Sequence, residues 1–237
     1  MKSTILDNIE TIHPIDLQVA VNKYMTKVFA WMCAALMITA FTSLYVVSSE
    51  TLLETIVGNR IVFYCLIGAE FLLVMGISSM INRISTPIAI ALFIAYSIVN
   101  GLTLSIIFLV YTAGSIASTF FITAATFGIM SAVGYFTKKD LTSFGQILVM
   151  GLIGLVVASV VNIFMQNDML YWVCTYAGVL IFTGLTAYDT QKIKMIGSDA
   201  ISNGNDTSKL AIMGALHLYL DFINLFLYLL RLFGRRK

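Results

Sequence analysis

Apolar residues in this chain run in blocks of bilayer length, as from Val28 to Ser48 and from Ile61 to Ile81. A helix needs about 20 consecutive apolar residues to cross the hydrocarbon core. Only helices and closed barrels satisfy their own backbone polar groups there. Composition points the same way. Soluble domains carry charge on about a quarter of their residues, whereas here 11% are charged and 59% hydrophobic, too few charges to cover a water-facing surface. Two prolines in 237 residues leave long helices largely unbroken. The expected fold class is an all-α integral membrane protein.

Seven blocks read as transmembrane helices, at 28–48, 61–81, 87–111, 116–136, 144–164, 169–189 and 210–232. Residues 1–27 form a polar N-terminal segment and 233–237 a basic tail. Most connections are short, so neighbours run antiparallel in one bundle. The exception is Thr190 to Lys209, whose Gly197-Ser198-Asp199 and Asn203-Gly204-Asn205-Asp206 runs are turn chemistry expected in water. Residues 1–27 carry charges but no apolar core before a cleavage site, so no cleavable signal peptide is expected.

Lys/Arg placement sets orientation. With the N-terminus cytoplasmic, the inner segments hold Lys2, Lys23, Lys27, Arg83, Lys138, Lys139, Lys192, Lys194 and Lys209, while the three outer loops hold only Arg60. Seven crossings place Arg235, Arg236 and Lys237 outside; a seventh segment that folds back places them inside. A net charge of +2 gives no footprint for nucleic acid. Cys33, Cys65 and Cys174 all lie within apolar spans, an odd number without disulfide spacing, and read as small hydrophobes.

An ionisable group at bilayer depth costs about 2.5–3.5 kcal/mol on insertion scales, so it needs a partner or a function. Three carboxylates sit in these spans: Glu70, Asp189 and Asp221. Glu70 lies midway along the second span, roughly 15 Å from either end at the helical rise. On the seventh span Gly214, His217, Asp221, Asn224, Tyr228 and Arg231 recur at steps of three and four and share one face. Lipid cannot hydrogen-bond such a stripe, so it faces the bundle interior. Two readings remain open: interhelical hydrogen bonding, or a water-lined path for protons or cations.

Asp189 closes the sixth span beside Lys192, where a solvated carboxylate is the ordinary reading. Thr183 and Thr186 share its face, however, so a polar strip leads to it. If that strip faces the seventh span, Asp189 and Asp221 approach each other. Two adjacent carboxylates cannot both ionise cheaply and titrate as a unit. A proton then sets the local charge, and a divalent cation can replace it.

Enzyme chemistry finds no support. There is no HExxH, and His13 and His217 are the only histidines. His217 and Asp221 are four residues apart, but two ligands make a poor metal site. Tyr188-Asp189 matches one half of an intramembrane aspartyl protease, yet the Gly-x-Gly-Asp half is missing; no Gly-x-Ser-Gly is present, and the seventh span lacks a lysine for a retinal Schiff base. No enzyme activity and no cofactor are expected.

At Tyr188-Asp189-Thr190-Gln191-Lys192-Ile193 and at Leu218-Tyr219-Leu220-Asp221-Phe222-Ile223-Asn224-Leu225-Phe226 the chain closely resembles the Bax inhibitor-1, or transmembrane Bax-inhibitor-motif, family. Gly68-Ala69-Glu70 and Asn100-Gly101-Leu102-Thr103 support this, and the resemblance covers the chain after about residue 20. The short loops look like those of a prokaryotic member, which implies a bacterial inner membrane. The resemblance implies seven helices, the last central between two three-helix layers. It also implies a pH-sensitive calcium leak, with Ca2+ as the transported ion, controlled by an aspartate pair that maps onto Asp189 and Asp221. These two are then the pH-sensing and transient Ca2+-holding residues. Glu70 maps onto an acidic residue of the second helix, and with His217 and Asn224 it would line the ion path. Family members also place an arginine at the end of that helix to lock the pair by salt bridges. Arg83 is the candidate here, displaced from the family's slot when aligned on Glu70, with Asn82 beside it.

Two further function classes stand beside the leak. A regulatory protein that binds a membrane AAA protease or a cell-death factor would use the polar N-terminus, and its activity should depend on residues 1–20. A proton-coupled transporter calls for discontinuous helices broken at matching places. Pro87 begins a span and does not break one, which makes the transporter the weakest reading.

Overall fold

The computed structural model describes residues 14–81 and 83–237. Residues 1–13 of the polar N-terminal segment, and Asn82, lie outside the described residues. Among the described residues seven helices are long and apolar enough to cross a membrane: α1 Pro14–Ser48, α2 Arg60–Met80, α3 Thr86–Leu104, α4 Ala113–Phe136, α5 Thr142–Met165, α6 Asp168–Ser202 and α7 Ser208–Phe233. Among the described residues the only β pairing is one isolated bridge, Tyr111 with Arg236.

Two helices outrun their apolar blocks, for one reason. α1 begins at Pro14, not near residue 28. Proline suits a first helical turn, and Asp16 complements the positive helix end. Val21, Tyr24, Met25 and Val28 then repeat at three- and four-residue steps and are buried. The facing strip is the end of α6, which runs on to Ser202. Asp189 is therefore mid-helix, and the expectation of a water-exposed turn from Thr190 is corrected. Thr190, Ile193, Gly197 and Ala200 are buried at the same spacing, and the ring of Tyr24 lies where a Cβ on Gly197 would sit. Tertiary packing thus keeps polar sequence helical, and only residues 203–207 remain as the connection to α7. α3 ends earlier than its apolar block. Ser105 Oγ donates to Leu102 O at 2.6 Å, a local bond that competes with the helix ladder, and Ile107–Val110 forms a separate turn.

Contacts sort the helices into two sets. α1 and α2 each pack on α3; α4 and α5 each pack on α6. α7 touches α1 and α3 of the first set and α4 and α6 of the second, so it lies between them. Burial agrees: 67% of an 18-residue apolar window of α7 is buried, against 6% of the matching window of α2, where only Ile77 is buried. Without a hydrophobic force between helices in lipid, small residues permit close approach. A Cβ on Gly101 of α3 would meet Thr39 O of α1 at 2.8 Å, and one on Gly134 of α4 would overlap Ala187 O of α6.

α7 is one unbroken helix, and the fold-back alternative is not adopted. The tail beyond it docks on the α3–α4 connection: Thr112 N donates to Arg235 O (3.0 Å) and Lys237 N to Val110 O (3.0 Å). That connection lies at the end of the bundle opposite Pro14. Lys23, Lys27, Arg83, Lys138, Lys139, Lys192, Lys194 and Lys209 lie at or near the Pro14 end.

Candidate functional site

α7 carries polar groups on two opposite faces. Tyr219 and Asp221 are two residues apart, about 200° around the helix, so one faces the α1–α3 set and the other the α4–α6 set.

On the second face Asp189 of α6 and Asp221 of α7 bring their carboxyl groups within hydrogen-bonding reach of each other. Asp221 is 5% exposed and Asp189 is half-buried. Asp221 Oδ2 is buried without a hydrogen-bond partner. The other charged or titratable groups near the pair are His217 and Lys192, both on the Asp189 side. They help to line a cavity of about 70 Å³, with Asp189, Tyr24, Ile193 and Gly214, that extends towards the Pro14 end. A cavity of this size has room for water, but its wall is almost wholly apolar, with Asp189, His217 and Lys192 among the residues around it. The close approach that creates the pair comes from small residues: a Cβ on Gly214 would press on Ile193 at 2.9 Å, and the Tyr228 ring occupies the place of a Cβ on Gly178.

On the first face Tyr219 is fully buried. Its hydroxyl lies 3.0 Å from Asn100 Oδ1 and 2.7 Å from Thr39 Oγ1, which lies 2.9 Å from Ser97 O, so two hydroxyl protons serve three contacts. Its ring meets Phe93 and Tyr96 edge-on, with centroids 6.0 and 5.6 Å away. Glu70 of α2 stands at the rim of this cluster, half-buried, with Asn100 and Thr103 beside its carboxylate and Oε1 without a partner.

The structure therefore joins some of the expected site residues and separates others. Asp189, Asp221 and His217 form one cluster. Glu70 belongs to another, across α7. Asn224 is half-buried, and its amide donates to Leu220 O of its own helix at 2.8 Å. Arg83 is exposed in the turn after α2, and the basic side chains beside Asp189 are His217 and Lys192. The Thr186 and Thr190 hydroxyls are turned back onto α6 at 2.8 and 2.7 Å, so they do not extend a polar path. Tyr24, Lys192 and the Tyr219–Asn100–Thr39 cluster were not singled out as site residues from the sequence. Tyr219 sits inside the nine-residue α7 motif, and that is the signal that could have found it. Among the described residues no group of three or more His, Cys, Asp or Glu side chains is placed to hold a metal ion.

A seven-helix membrane bundle with a central helix and a buried acidic pair is the class defined by these observations. The profile described as "Inhibitor of apoptosis-promoting Bax1" matches residues 21–237, and the chain belongs to this Bax inhibitor family. It is 51% identical over 217 residues to inner membrane protein YbhL of Escherichia coli K12, covering 90% of this chain and 92% of that protein. It is 45% identical over 216 residues to an uncharacterized protein of Borreliella burgdorferi, covering 91% and 93%. A third relative, an uncharacterized protein of Rickettsia prowazekii, is 42% identical over 220 residues, covering 91% and 90%. The relatives are bacterial, and the first is an inner membrane protein by name.

Proposed function

We propose that the protein is a pH-sensitive cation leak, with Ca2+ as its cargo, in a bacterial inner membrane and with the N-terminus cytoplasmic. The observation that carries this is the facing pair Asp189 and Asp221, with Asp221 Oδ2 buried and unpartnered. An unpaired buried polar oxygen is costly, and two adjacent buried carboxylates are costlier still. One shared proton relieves both costs: it removes a charge and supplies the missing hydrogen bond between α6 and α7. Loss of that proton sets two negative charges against each other across the helix interface. The helices then separate, admit water from the cavity beside His217, or take up a cation. Lys192 and His217 at the cavity mouth adjust how strongly the pair attracts cations.

Glu70 lies across α7 from the pair, so a cation reaching both must pass around the central helix. In this arrangement Glu70 acts on a later part of the path than the gate. The bias of Lys and Arg towards the Pro14 end favours a cytoplasmic N-terminus.

The test is calcium-dye flux in proteoliposomes at about pH 6, 7 and 8 for wild type, Asp189→Asn and Asp221→Asn. The expected result is a wild-type flux that rises with pH, and a flat response in both variants, whose amide holds the protonated form's hydrogen bond at every pH. No flux above empty liposomes at any pH removes the leak reading and leaves the pair as helix–helix glue.

A further inference from the structure

Helices α1 and α4 both pack on α7 but only sparsely on each other. In the half of the bundle away from Pro14 this leaves an open groove of about 410 Å³, within the range of ligand pockets. Leu36 and Leu44 of α1 form one wall, Ala117 and Phe121 of α4 the other, and Phe222 and Phe226 of α7 the floor. The hydroxyls in the wall are already used. Thr39 bonds to Ser97 O and Tyr219, and Ser43 donates to Gly101 O at 2.7 Å. Water needs two or more polar partners to stay in such a space, and none is free. Leu44 and Phe121, 51% and 71% exposed, flank the opening within the membrane-spanning segments.

The far end of the groove meets the basic tail. Lys237 Nζ donates to the carbonyl of Phe108, itself a groove residue, at 2.7 Å. Ser115 Oγ donates to Arg235 O at 3.4 Å, which pins the tail to the start of α4. Arg235, Arg236 and Lys237 are exposed, and the partners of the Arg236 guanidinium are the hydroxyls of Tyr111 and Tyr171. A lysine ammonium has three protons to give, and one is used by Phe108 O. An apolar slot therefore ends under a patch of positive charge at the membrane surface.

We propose that this groove binds one anionic phospholipid from the leaflet at that end, with an acyl chain against Phe222 and Phe226 and the phosphate at Arg235 and Lys237. The site is separate from the aspartate pair and does not depend on the leak. The test is native mass spectrometry of the full chain in detergent with dioleoyl phosphatidylglycerol or dioleoyl phosphatidylcholine. Wild type should retain the anionic lipid roughly tenfold or more over the zwitterionic one, as a few juxtamembrane cations dictate. The R235A/R236A/K237A variant should lower phosphatidylglycerol retention to that of phosphatidylcholine. Ala117→Trp, which fills the slot, should lower retention of both. Thermal unfolding in detergent identifies a variant that no longer folds, and the other variant then carries the test. Equal retention of the two lipids by wild type, or phosphatidylglycerol retention unchanged in a folded variant, overturns the proposal.

Discussion

The two polar faces of α7 solve the same problem in opposite ways. On the Tyr219 face three side chains and a backbone carbonyl close a chain of hydrogen bonds between α1, α3 and α7. Two hydroxyl protons serve its three contacts, and either proton order keeps the same heavy-atom positions, so the cluster holds α7 in register. On the Asp221 face the partner of a buried carboxyl is another carboxyl, and one oxygen is left over. That cluster has two arrangements, with and without a proton. A satisfied network specifies a position, whereas a frustrated one makes the position respond to conditions. In the proposed leak the central helix is thus clamped on one side and switchable on the other.

The comparison breaks most visibly if the clamp is removed. Tyr219→Ala deletes a fully buried ring between Phe93 and Tyr96 together with its hydroxyl. It should cost about 3–5 kcal/mol of stability, read as the loss of a folded, monodisperse peak in detergent or a large fall in melting temperature. A near-neutral result means the first face is not a clamp. Gly134→Ala acts on the other set, where the obstruction is the backbone carbonyl of Ala187, which cannot swing aside as a side chain can. Overpacking of this kind costs about 1–3 kcal/mol, and α4 should detach from α6. The same substitution at Gly76, where a Cβ meets nothing within 4 Å, is the matched control and should be neutral or slightly stabilising.

Conservative variants sharpen the contrast. Tyr219→Phe keeps the ring and removes only the bonds to Asn100 and Thr39, for a loss of about 0.6–1.7 kcal/mol, with the pH response of flux unchanged. Asp221→Asn should do the reverse, leaving the melting temperature close to wild type while flattening the pH response. If the two variants exchange phenotypes, the roles assigned to the faces are wrong. Arg83→Ala should change neither quantity, because that side chain is exposed in the turn after α2 and the side chains beside Asp189 are Asp221, His217 and Lys192.

Much of this was legible in the sequence because bilayer physics is strict. Apolar blocks of fixed length give the seven helices, and the three- and four-residue spacing of His217 and Asp221 places them on one buried face. The helix ends were less legible. A run such as Thr190-Gln191-Lys192-Ile193 is too polar to read as membrane, yet α1 supplies a surface for its buried positions and the helix continues. That contact joins residues far apart in the chain, so no local window contains it. The motif resemblance pointed to Glu70 and to Asn100–Thr103 separately, and the structure brings them together. Only the packing of α2 on α3 makes that pairing visible. Arg83 shows the converse: a residue of suitable charge near a suitable helix end, exposed in its turn, while the basic side chains beside Asp189 are His217 and Lys192.

The smallest expected effects lie outside the membrane, where two loop carboxylates begin helices. Asp206 accepts from the backbone and hydroxyl of Ser208 at 2.9 and 2.7 Å, and Asp140 accepts from Thr142 N at 2.8 Å. These bonds to the ionised form hold both carboxyls below the usual aspartate range, Asp206 first through the Ser208 side chain and Asp140 first through that of Thr142. A depressed value in the folded chain means the contribution is complete above the unfolded aspartate value, about 3.9, and disappears as pH falls through the folded one. Because Asp206 lies two residues before α7 and binds its first residue, Ser208, it is the only one of the two whose bonds touch the central helix. Asp206→Ala should therefore lower the melting temperature slightly at neutral pH and not at all once the pH has fallen below the depressed folded value, when the wild-type carboxyl is itself protonated. A deficit that persists unchanged into acid would show that Asp206 acts through loop shape and not through its charge. A deficit that grows between pH 6 and 8 would tie the start of α7 to the aspartate pair and join the two halves of the comparison.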